Sequence, residues 1–233
     1  MAIDRPPTVT VTGMADPVVR QEFAAATAVV VRDGDAGLEV LMLQRSDHGQ
    51  FANMWVFPGG RVDDDDAGDD EIERARTAAT REASEEVNLQ LDPATMVAWS
   101  HWSPPVIVPK RFLTWFFVSL WRDDEPVVDG HEIVGYQWTS AAAAADSLRP
   151  IAPPTFVTLT QLSAHPTWQS IVDNRSHVVE RFVTRASTTG PSVLLWAGDS
   201  NYESGDPDNG AELHRLLSPR EGPMRYLRGP APQ

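Results

Sequence analysis

The chain lacks cysteine and long apolar runs, and it carries few basic residues. Without cysteine it has no disulfide framework, no thiol nucleophile and no thiolate metal ligand. No apolar stretch approaches the length of a membrane span, and the first residues lack the basic-then-apolar order of a signal peptide. We therefore expect a cytoplasmic protein with no membrane contact.

Basic residues are outnumbered by acidic ones. The 19 Lys and Arg against 33 Asp and Glu leave a net charge of −14. A nucleic-acid surface requires clustered Lys and Arg, so this balance argues against a nucleic-acid partner. The electrostatic field of this negative net charge repels a phosphate ester unless bound divalent cations offset it locally.

What is present describes an ordinary globular chain. Its 233 residues, of which 42% are hydrophobic and 22% charged, can bury a sizeable core. This length is compatible with one large domain or with one domain and an extension. We expect a loose arm over residues 1–16, a main domain over 17–150, and a C-terminal extension over 151–233 packed on that domain.

One segment places three glutamates on a predicted helix: Glu82, Glu85 and Glu86. At about 100° per residue, Ala79 and Ala83 form an apolar stripe, and Glu82 and Glu86 lie beside it. A solvated helix face is the simpler interpretation of clustered glutamates, but charges beside a packed face are costly unless compensated. Because the three carboxylates also repel each other, the pattern favours a site for a hard divalent cation.

Period-two patterns predict a sheet whose longest strand is apolar on both faces, which implies helices on either side. The predicted strands cover 26–31, 38–43, 55–57, 96–102, 111–121 and 133–138. In the extension, residues 154–164 and 166–172 are predicted as helical, 178–184 and 193–196 as extended, and the remainder as turns.

The helix that carries the glutamates has clear end signals. It is predicted to begin near Glu71, where Asp70 and Glu73 form a capping-box pattern, and to end near Asn88, which tolerates the left-handed cap conformation. The acidic run 63–66 before it is interpreted as a solvated loop and helix entry rather than as further metal sites. A second helix is predicted over residues 140–148.

These residues resemble the signature of the Nudix hydrolases, in which a glycine and a glutamate precede an Arg-Glu-hydrophobic-any-Glu-Glu segment. Two departures are visible. Twelve residues instead of five separate the glycine from the first glutamate, and Asn88 replaces a glycine. The matching residues are Gly60, Glu73, Arg81, Glu82, Ala83, Glu85, Glu86 and Leu89.

The resemblance implies an α/β/α sandwich with a mixed sheet and Mg²⁺- or Mn²⁺-dependent hydrolysis of a nucleoside diphosphate linked to another group. Arg81 would orient the carboxylates with Glu73 as its partner, although a capping role for Glu73 is equally open. Glu82 or Glu85 would accept the proton of water, with Glu132 in reserve, for which a surface carboxylate is the alternative. The implied metal ligands are Glu82, Glu85, Glu86 and the carbonyl of Gly60.

A narrower resemblance is to the branch that contains the peroxisomal coenzyme A diphosphatases. It implies cleavage of coenzyme A or its thioesters to 3′,5′-ADP and a phosphopantetheine. Phosphate contacts are expected from Arg45, Lys110 and Arg111, and base stacking from Trp55, Trp102 or Trp115, with core packing as the alternative for each Trp. The segments that carry this resemblance are 43–46, 55–60, 109–117, 129–132, 153–155 and 198–202, together with the acidic insertion.

Other functions stay open at this stage. The residues of the signature act only on the pyrophosphate group and do not determine the rest of the substrate. ADP-ribose, dinucleotides and nucleoside triphosphates are therefore alternative substrates. A Nudix-fold module that binds a nucleotide without cutting it is the alternative from another class, although such modules often lose the glutamates that this chain retains. In each case the partner is a small nucleotide-derived molecule, and family habit adds a homodimer as an expectation.

Overall fold

The computed structural model describes residues 21–49, 51–123, 125–175, 178–207, 210–219 and 222–231. The expected arm at 1–16 lies outside these ranges. The strands are β1 (Gln21–Gly34), β2 (Gly37–Arg45), β3 (Trp55–Val56), β4 (Gly59–Arg61), β5 (Val97–Ser103), β6 (Lys110–Leu120), β7 (Ile133–Ser140), β8 (Glu180–Val183), β9 (Arg185–Ser187), β10 (Gly190–Leu195), β11 (Glu212–Leu217) and β12 (Arg225–Pro230). The helices are α1 (Glu71–Val87), α2 (Ala141–Ser147), α3 (Pro153–Leu162) and α4 (Trp168–Asn174), with a 3-10 turn at Pro93–Thr95.

The main sheet is mixed. Its strand order is β3-β2-β1-β6-β5-β8, with β4 paired to β1 and β7 paired to β2. The two long strands β1 and β6 run parallel in the middle of the sheet, with Thr27 opposite Phe116. The hairpin of β1 and β2 is antiparallel and turns at Gly37, whose φ of 121° suits a residue without a side chain.

Both faces of this sheet are covered, as the apolar pattern of β6 predicts. Along β1, Ala28 and Val30 pack against α1, while Val29 and Val31 pack in the cluster that includes α2 and α3. This alternation follows from the period of two along a strand. The predicted α/β/α sandwich is confirmed.

The C-terminal region contains more strand than the sequence pattern predicted. Strand β8 extends the main sheet by pairing in parallel with β5, and the rings of Trp102 and Phe182 stack with centroids 3.8 Å apart. Strands β9 to β12 form a second, antiparallel sheet in the order β12-β11-β10-β9. The expectation of turns after residue 196 is therefore wrong. The sequence pattern did not predict β11 because this strand contains buried His214 and Arg215 and lacks an apolar alternation. The boundary at residue 150 stays a prediction.

Helix α1 has the ends that its sequence predicts. The Asp70 side chain accepts a hydrogen bond from the Glu73 backbone N–H at 2.9 Å, and Asn88 takes the left-handed conformation with φ 56° and ψ 31°. None of the helices in the described ranges is both long and apolar enough to cross a membrane.

Candidate active site

A glycine turn lies directly against the glutamates of α1. Strand β4 pairs with β1 so that Gly60 stands opposite Ala26, which brings the turn under the helix. A Cβ atom at Gly60 would overlap the carboxylate of Glu82. The backbone N–H of Gly59 donates to Glu86 Oε2 at 3.0 Å. Only glycine at position 60 leaves room for this contact.

The two glutamates beside the turn are held in an environment that opposes their ionisation. Burial raises the pKa of Glu86 to about 8, although the Gly59 N–H lowers it, and the charge of Glu82 raises it further. Burial also raises the pKa of Glu82, and this outweighs the hydrogen bond and charge of Arg81. A cation close to both carboxylates would relieve this cost.

Arg81 organises the exposed side of the cluster. Its Nη1 donates to Glu82 Oε1 and to Glu85 Oε2, each at 3.0 Å. Its Nε and Nη2 donate to the two carboxylate oxygens of Asp66 at 3.0 and 3.2 Å, and Nη2 also donates to the Arg61 carbonyl at 2.9 Å. With these five hydrogen bonds, Arg81 is fixed between the helix and the loop that precedes it.

Of the two roles left open for Glu73, the structure has the capping role and not the pairing with Arg81. Glu73 Oε2 accepts a hydrogen bond from the Asp69 N–H at 2.9 Å, so this side chain closes the N-terminal end of α1. Eight residues separate the two positions, which is about 12 Å along a helix. Asp66 takes the place of Glu73 because the twelve-residue loop between Gly60 and Glu73, seven residues longer than in the signature, folds back over the helix.

The acidic insertion makes specific hydrogen bonds around Asp66. Asp66 is 6% exposed, and its Oδ2 accepts a hydrogen bond from the Asp63 N–H at 2.8 Å. Arg74 donates to the backbone carbonyls of Asp66 and Asp63 at 3.1 and 2.8 Å. The interpretation as a solvated loop holds for exposed Asp64 and Asp65 and is wrong for Asp66. Nothing in a run of four aspartates marks the one that the fold buries.

Arg45 connects the cluster to a later loop. Its Nη2 donates to Glu132 Oε2 at 2.8 Å, and its Nη1 lies 3.7 Å from Glu86 Oε1. Among the described residues, its buried Nε has no hydrogen-bond partner. Asp129 shapes the loop by accepting the N–H groups of residues 131–133, and its own N–H donates to the Glu86 carbonyl at 3.0 Å. The fold therefore brings Arg45 and Glu132 to Glu86.

Arg111 lies apart from this cluster. It is 8% exposed, its Nε and Nη2 donate to the Pro104 carbonyl at 3.0 and 2.8 Å, and its Nη1 pairs with Glu22. On β1, Glu22 is four residues before the partner of Gly60, or about 13 Å. These contacts hold the loop before β6, and the expected phosphate contact of Arg111 stays a prediction.

Lys110 also lies away from the glutamates. Its Nζ lies 5.5 Å from the ring centroid of Phe23 and 5.6 Å from that of Phe112. The two rings stack with centroids 5.5 Å apart. The structure thus places Lys110 on an aromatic patch.

Two of the three tryptophans considered for base stacking are core residues. Trp102 and Trp115 are 3% and 5% exposed, and Trp115 Nε1 donates to Glu71 Oε1 at 2.7 Å. Trp55 is half-buried and packs against the cluster on the α3 side of the sheet. Core packing is therefore the structural role of Trp102 and Trp115.

The residues around Gly60 fit a hard divalent cation. The donors are all oxygen, the carboxylates of buried Glu86 and half-buried Glu82 are partly desolvated at a cost, and the missing side chain of Gly60 leaves a cradle for Glu82. In the described ranges no three acidic or histidine side chains form a closed metal cage, and Arg81 bridges Glu82 and Glu85. Mg²⁺ does not require such a cage, because it is usually bound by one or two carboxylates together with water and substrate phosphates.

Comparison with known proteins gives consistent matches. The family model for the NUDIX domain matches residues 22–159. A Caenorhabditis elegans protein named putative nudix hydrolase 7 is 30% identical over 173 residues, covering 55% of this chain and 57% of that protein. The human protein named acyl-coenzyme A diphosphatase NUDT19 is 31% identical over 106 residues, covering 42% of this chain and 28% of that protein.

The solved structures show the same fold. A NUDIX hydrolase from Alicyclobacillus acidocaldarius superimposes with a TM-score of 0.60 at 24% identity, covering 67% of this chain and 98% of the other. The matches to the two curated relatives span less than two thirds of the length of either. The fold likeness therefore extends over 67% of this chain, while the sequence likeness covers only part of each curated relative.

Proposed function

Because the chain belongs to the NUDIX domain family, we propose that it is a divalent-metal-dependent hydrolase that cuts the pyrophosphate of a nucleoside diphosphate linked to another group. The observation that carries this proposal is the pair of carboxylates of half-buried Glu82 and buried Glu86, whose pKa values are raised against the Gly59–Gly60 turn. Such a pair is costly in a purely structural role, and it suits a site whose cations arrive with the substrate.

The chain's own residues take distinct roles in this proposal. A bound Mg²⁺ or Mn²⁺ would neutralise the charge of the pyrophosphate and lower the pKa of a water molecule. Arg81 holds Glu82 and Glu85 in place, and one of these two carboxylates accepts the proton of the attacking water. Glu132 is the reserve base. The residues that would hold the metal are Gly60, through its carbonyl, and Glu82, Glu85 and Glu86.

Arg45 is the best-placed phosphate ligand. Its guanidinium lies between Glu132 and Glu86, and its buried Nε is a donor with no partner in the described ranges. An unpaired buried donor costs free energy, and an anionic oxygen from the substrate would satisfy it. Arg45 also offsets part of the repulsion between the acidic cluster and a phosphate ester.

For the substrate we propose coenzyme A or acyl-coenzyme A, cut to 3′,5′-ADP and a phosphopantetheine. The support is the sequence resemblance to the coenzyme A diphosphatase branch and the partial similarity to the human protein of that name. That match covers 28% of the human protein, so the substrate has to be identified by a direct assay.

The test is a substrate panel with Mg²⁺ and with Mn²⁺, with products identified by mass. It contains coenzyme A, acyl-coenzyme A, ADP-ribose, NADH, diadenosine polyphosphates and dNTPs. Release of 3′,5′-ADP supports the coenzyme A assignment, and fast cleavage of another member with none from the thioesters refutes it. Tight nucleotide binding without product from any member would favour a binding module.

The site assignment is tested by single replacements. We expect Glu82→Gln, Glu85→Gln and Glu86→Gln to lower kcat at least a hundredfold while the protein stays folded, because each removes one charge from the cluster. Glu212→Gln, at the exposed first residue of β11, is the matched control and should behave as wild type. Full turnover in the three folded variants would mean that the assigned site is wrong.

A further inference from the structure

A cavity of about 370 Å³ lies on the face of the main sheet opposite α1. Its walls come from β5, β6, β10 and the start of α3, and it is lined mainly by aromatic, aliphatic and proline side chains. Its size is at the lower end of the range for small-molecule pockets. Its lining includes Trp102, Phe112, Thr114, Thr184, Trp196 and Ala152.

The hydroxyl groups in the wall are already bonded to the protein. Thr114 Oγ1 donates to the Phe112 carbonyl at 3.2 Å. Thr184 Oγ1 accepts from Trp196 Nε1 at 3.0 Å. Because both hydroxyl protons are donated to backbone carbonyls, the ring nitrogens of a purine placed here would find no hydroxyl donor, which costs free energy. An aliphatic chain has no such requirement, so the wall selects for an apolar occupant.

One cation stands among the lining residues. Lys110 lines the cavity, is exposed, and lies against the rings of Phe23 and Phe112. On a chain of net charge −14, an ammonium group at an apolar cavity is suited to a ligand that has an apolar end and an anionic body.

The cavity and the glycine turn lie at the same end of the sheet. Thr114 stands opposite Ala25 on β1, and Ala25 stands opposite Arg61, the residue after Gly60. Two strand spacings therefore separate the backbone of the cavity wall from that of the turn, or about 10 Å. The glutamates lie on the α1 side of the sheet and the cavity lies on the other side, so a substrate held by its pyrophosphate at the glutamates needs an extended arm longer than this to reach the cavity.

We propose that this cavity binds the aliphatic acyl group of an acyl-thioester substrate. The inference rests on the proposed function, which supplies the pyrophosphate and the extended arm, and it makes acyl thioesters better substrates than the free thiol. At about 30 Å³ for a group the size of a water molecule, the cavity holds roughly twelve such groups, so a chain of medium length fills it.

The test is a chain-length series: coenzyme A and its acetyl, butyryl, octanoyl and dodecanoyl thioesters. We expect kcat/KM to rise at least tenfold from acetyl to octanoyl and to rise further to dodecanoyl, because each buried methylene adds to binding until the cavity is full. Ala152→Phe places a ring in the cavity and should reduce the octanoyl-to-acetyl ratio at least tenfold. Ala142→Phe, on the exposed face of α2, is the matched control and should keep the wild-type ratio.

A binding measurement separates this inference from the proposed function. With EDTA present and no turnover, octanoyl-coenzyme A should bind to the wild type at least tenfold more tightly than acetyl-coenzyme A. If no thioester is hydrolysed but this preference holds, the proposed activity fails and the cavity assignment stands. A wild-type protein with neither a kinetic nor a binding preference for chain length overturns the inference, even if Ala152→Phe cannot be prepared as a folded protein.

Discussion

Replacing Asp66 by Asn removes one negative charge from the acidic insertion and changes the shape of the side chain little. In the wild type, both carboxylate oxygens of Asp66 accept hydrogen bonds from Arg81, and Oδ2 also accepts from the Asp63 N–H. An Asn side chain has one acceptor oxygen, and its NH₂ group would face N–H donors. At least one charge-assisted hydrogen bond is therefore lost.

The expected cost to stability follows from burial. Removing one partner of a fully buried ion pair costs about 3–5 kcal/mol. Arg81 keeps its bonds to Glu82, Glu85 and the Arg61 carbonyl, and its side chain is 27% exposed, so the charge left behind is partly compensated. We expect Asp66→Asn to lower the free energy of unfolding by about 2 kcal/mol, the cost typical of one hydrogen bond to a charged group.

The activity should fall as well. Without Asp66, the guanidinium of Arg81 is no longer held on its outer side, so Glu82 and Glu85 lose a fixed orientation. Residues that orient metal ligands typically change activity by about 10–100-fold, and we expect a loss in kcat within that range. Stability is measured by urea unfolding, and activity by initial rates at saturating Mg²⁺.

The pH dependence gives this prediction a second readout. Burial on its own would raise the pKa of Asp66, but the hydrogen bonds from Arg81 and from the Asp63 N–H outweigh it and hold the pKa below its ordinary value. A lowered pKa stabilises the folded state above the ordinary pKa of about 4, and this stabilisation is lost as the pH falls through the folded value. The stability difference between Asp66→Asn and wild type should therefore shrink below about pH 4.

Two variants make the comparison decisive. Asp64→Asn changes an exposed neighbour in the same run and should be nearly neutral. Glu73→Gln removes the residue that the sequence pattern pairs with Arg81, but in the structure it weakens only a helix cap, so its effect should be at most about 1 kcal/mol with little loss of kcat. A larger loss of kcat in Glu73→Gln than in Asp66→Asn would refute the reasoning.

Three further predictions concern the glycine turn and its neighbours. Gly60→Ala should lower kcat at least a hundredfold, because the new Cβ atom overlaps the Glu82 carboxylate. Gly135→Ala, whose new Cβ atom would have its nearest neighbour 3.7 Å away, is the control and should be active. Equal rates of the two variants in steady-state assays would contradict this. In EDTA, the free energy of unfolding should fall as pH rises from about 4.5 to 8, by at most about 5 kcal/mol, because the folded state keeps a proton on Glu86 that the unfolded state releases. Chemical unfolding of Glu86→Gln should show a flatter dependence, and an equal slope in both proteins would sink the assignment. Arg45→Lys keeps the charge but removes the buried Nε donor, so KM should rise about tenfold, and an unchanged KM would argue against a phosphate contact.

Local structure was the most predictable part of this protein. The bounds of α1 follow from Asp70 at its start and Asn88 at its end, since capping acts between residues a few positions apart. The mixed sheet with both faces covered follows from the alternation in β6, where Phe117 and Val118 face opposite sides and are both fully buried. Strands β11 and β12 were missed because their burial depends on partners and does not show as an apolar pattern.

The sequence by itself determined that Glu82, Glu85 and Glu86 share a region of one helix, because that depends only on helical periodicity. It also determined the family, because the spacing of Arg81 and the glutamates is local. Only the tertiary structure decided that Asp66 rather than Glu73 holds Arg81, that Arg45 and Glu132 meet at Glu86, and that Arg111 holds a loop. These pairings join residues brought together by chain reversals and strand register, and hydrogen bonding and burial then select one aspartate from a run of four.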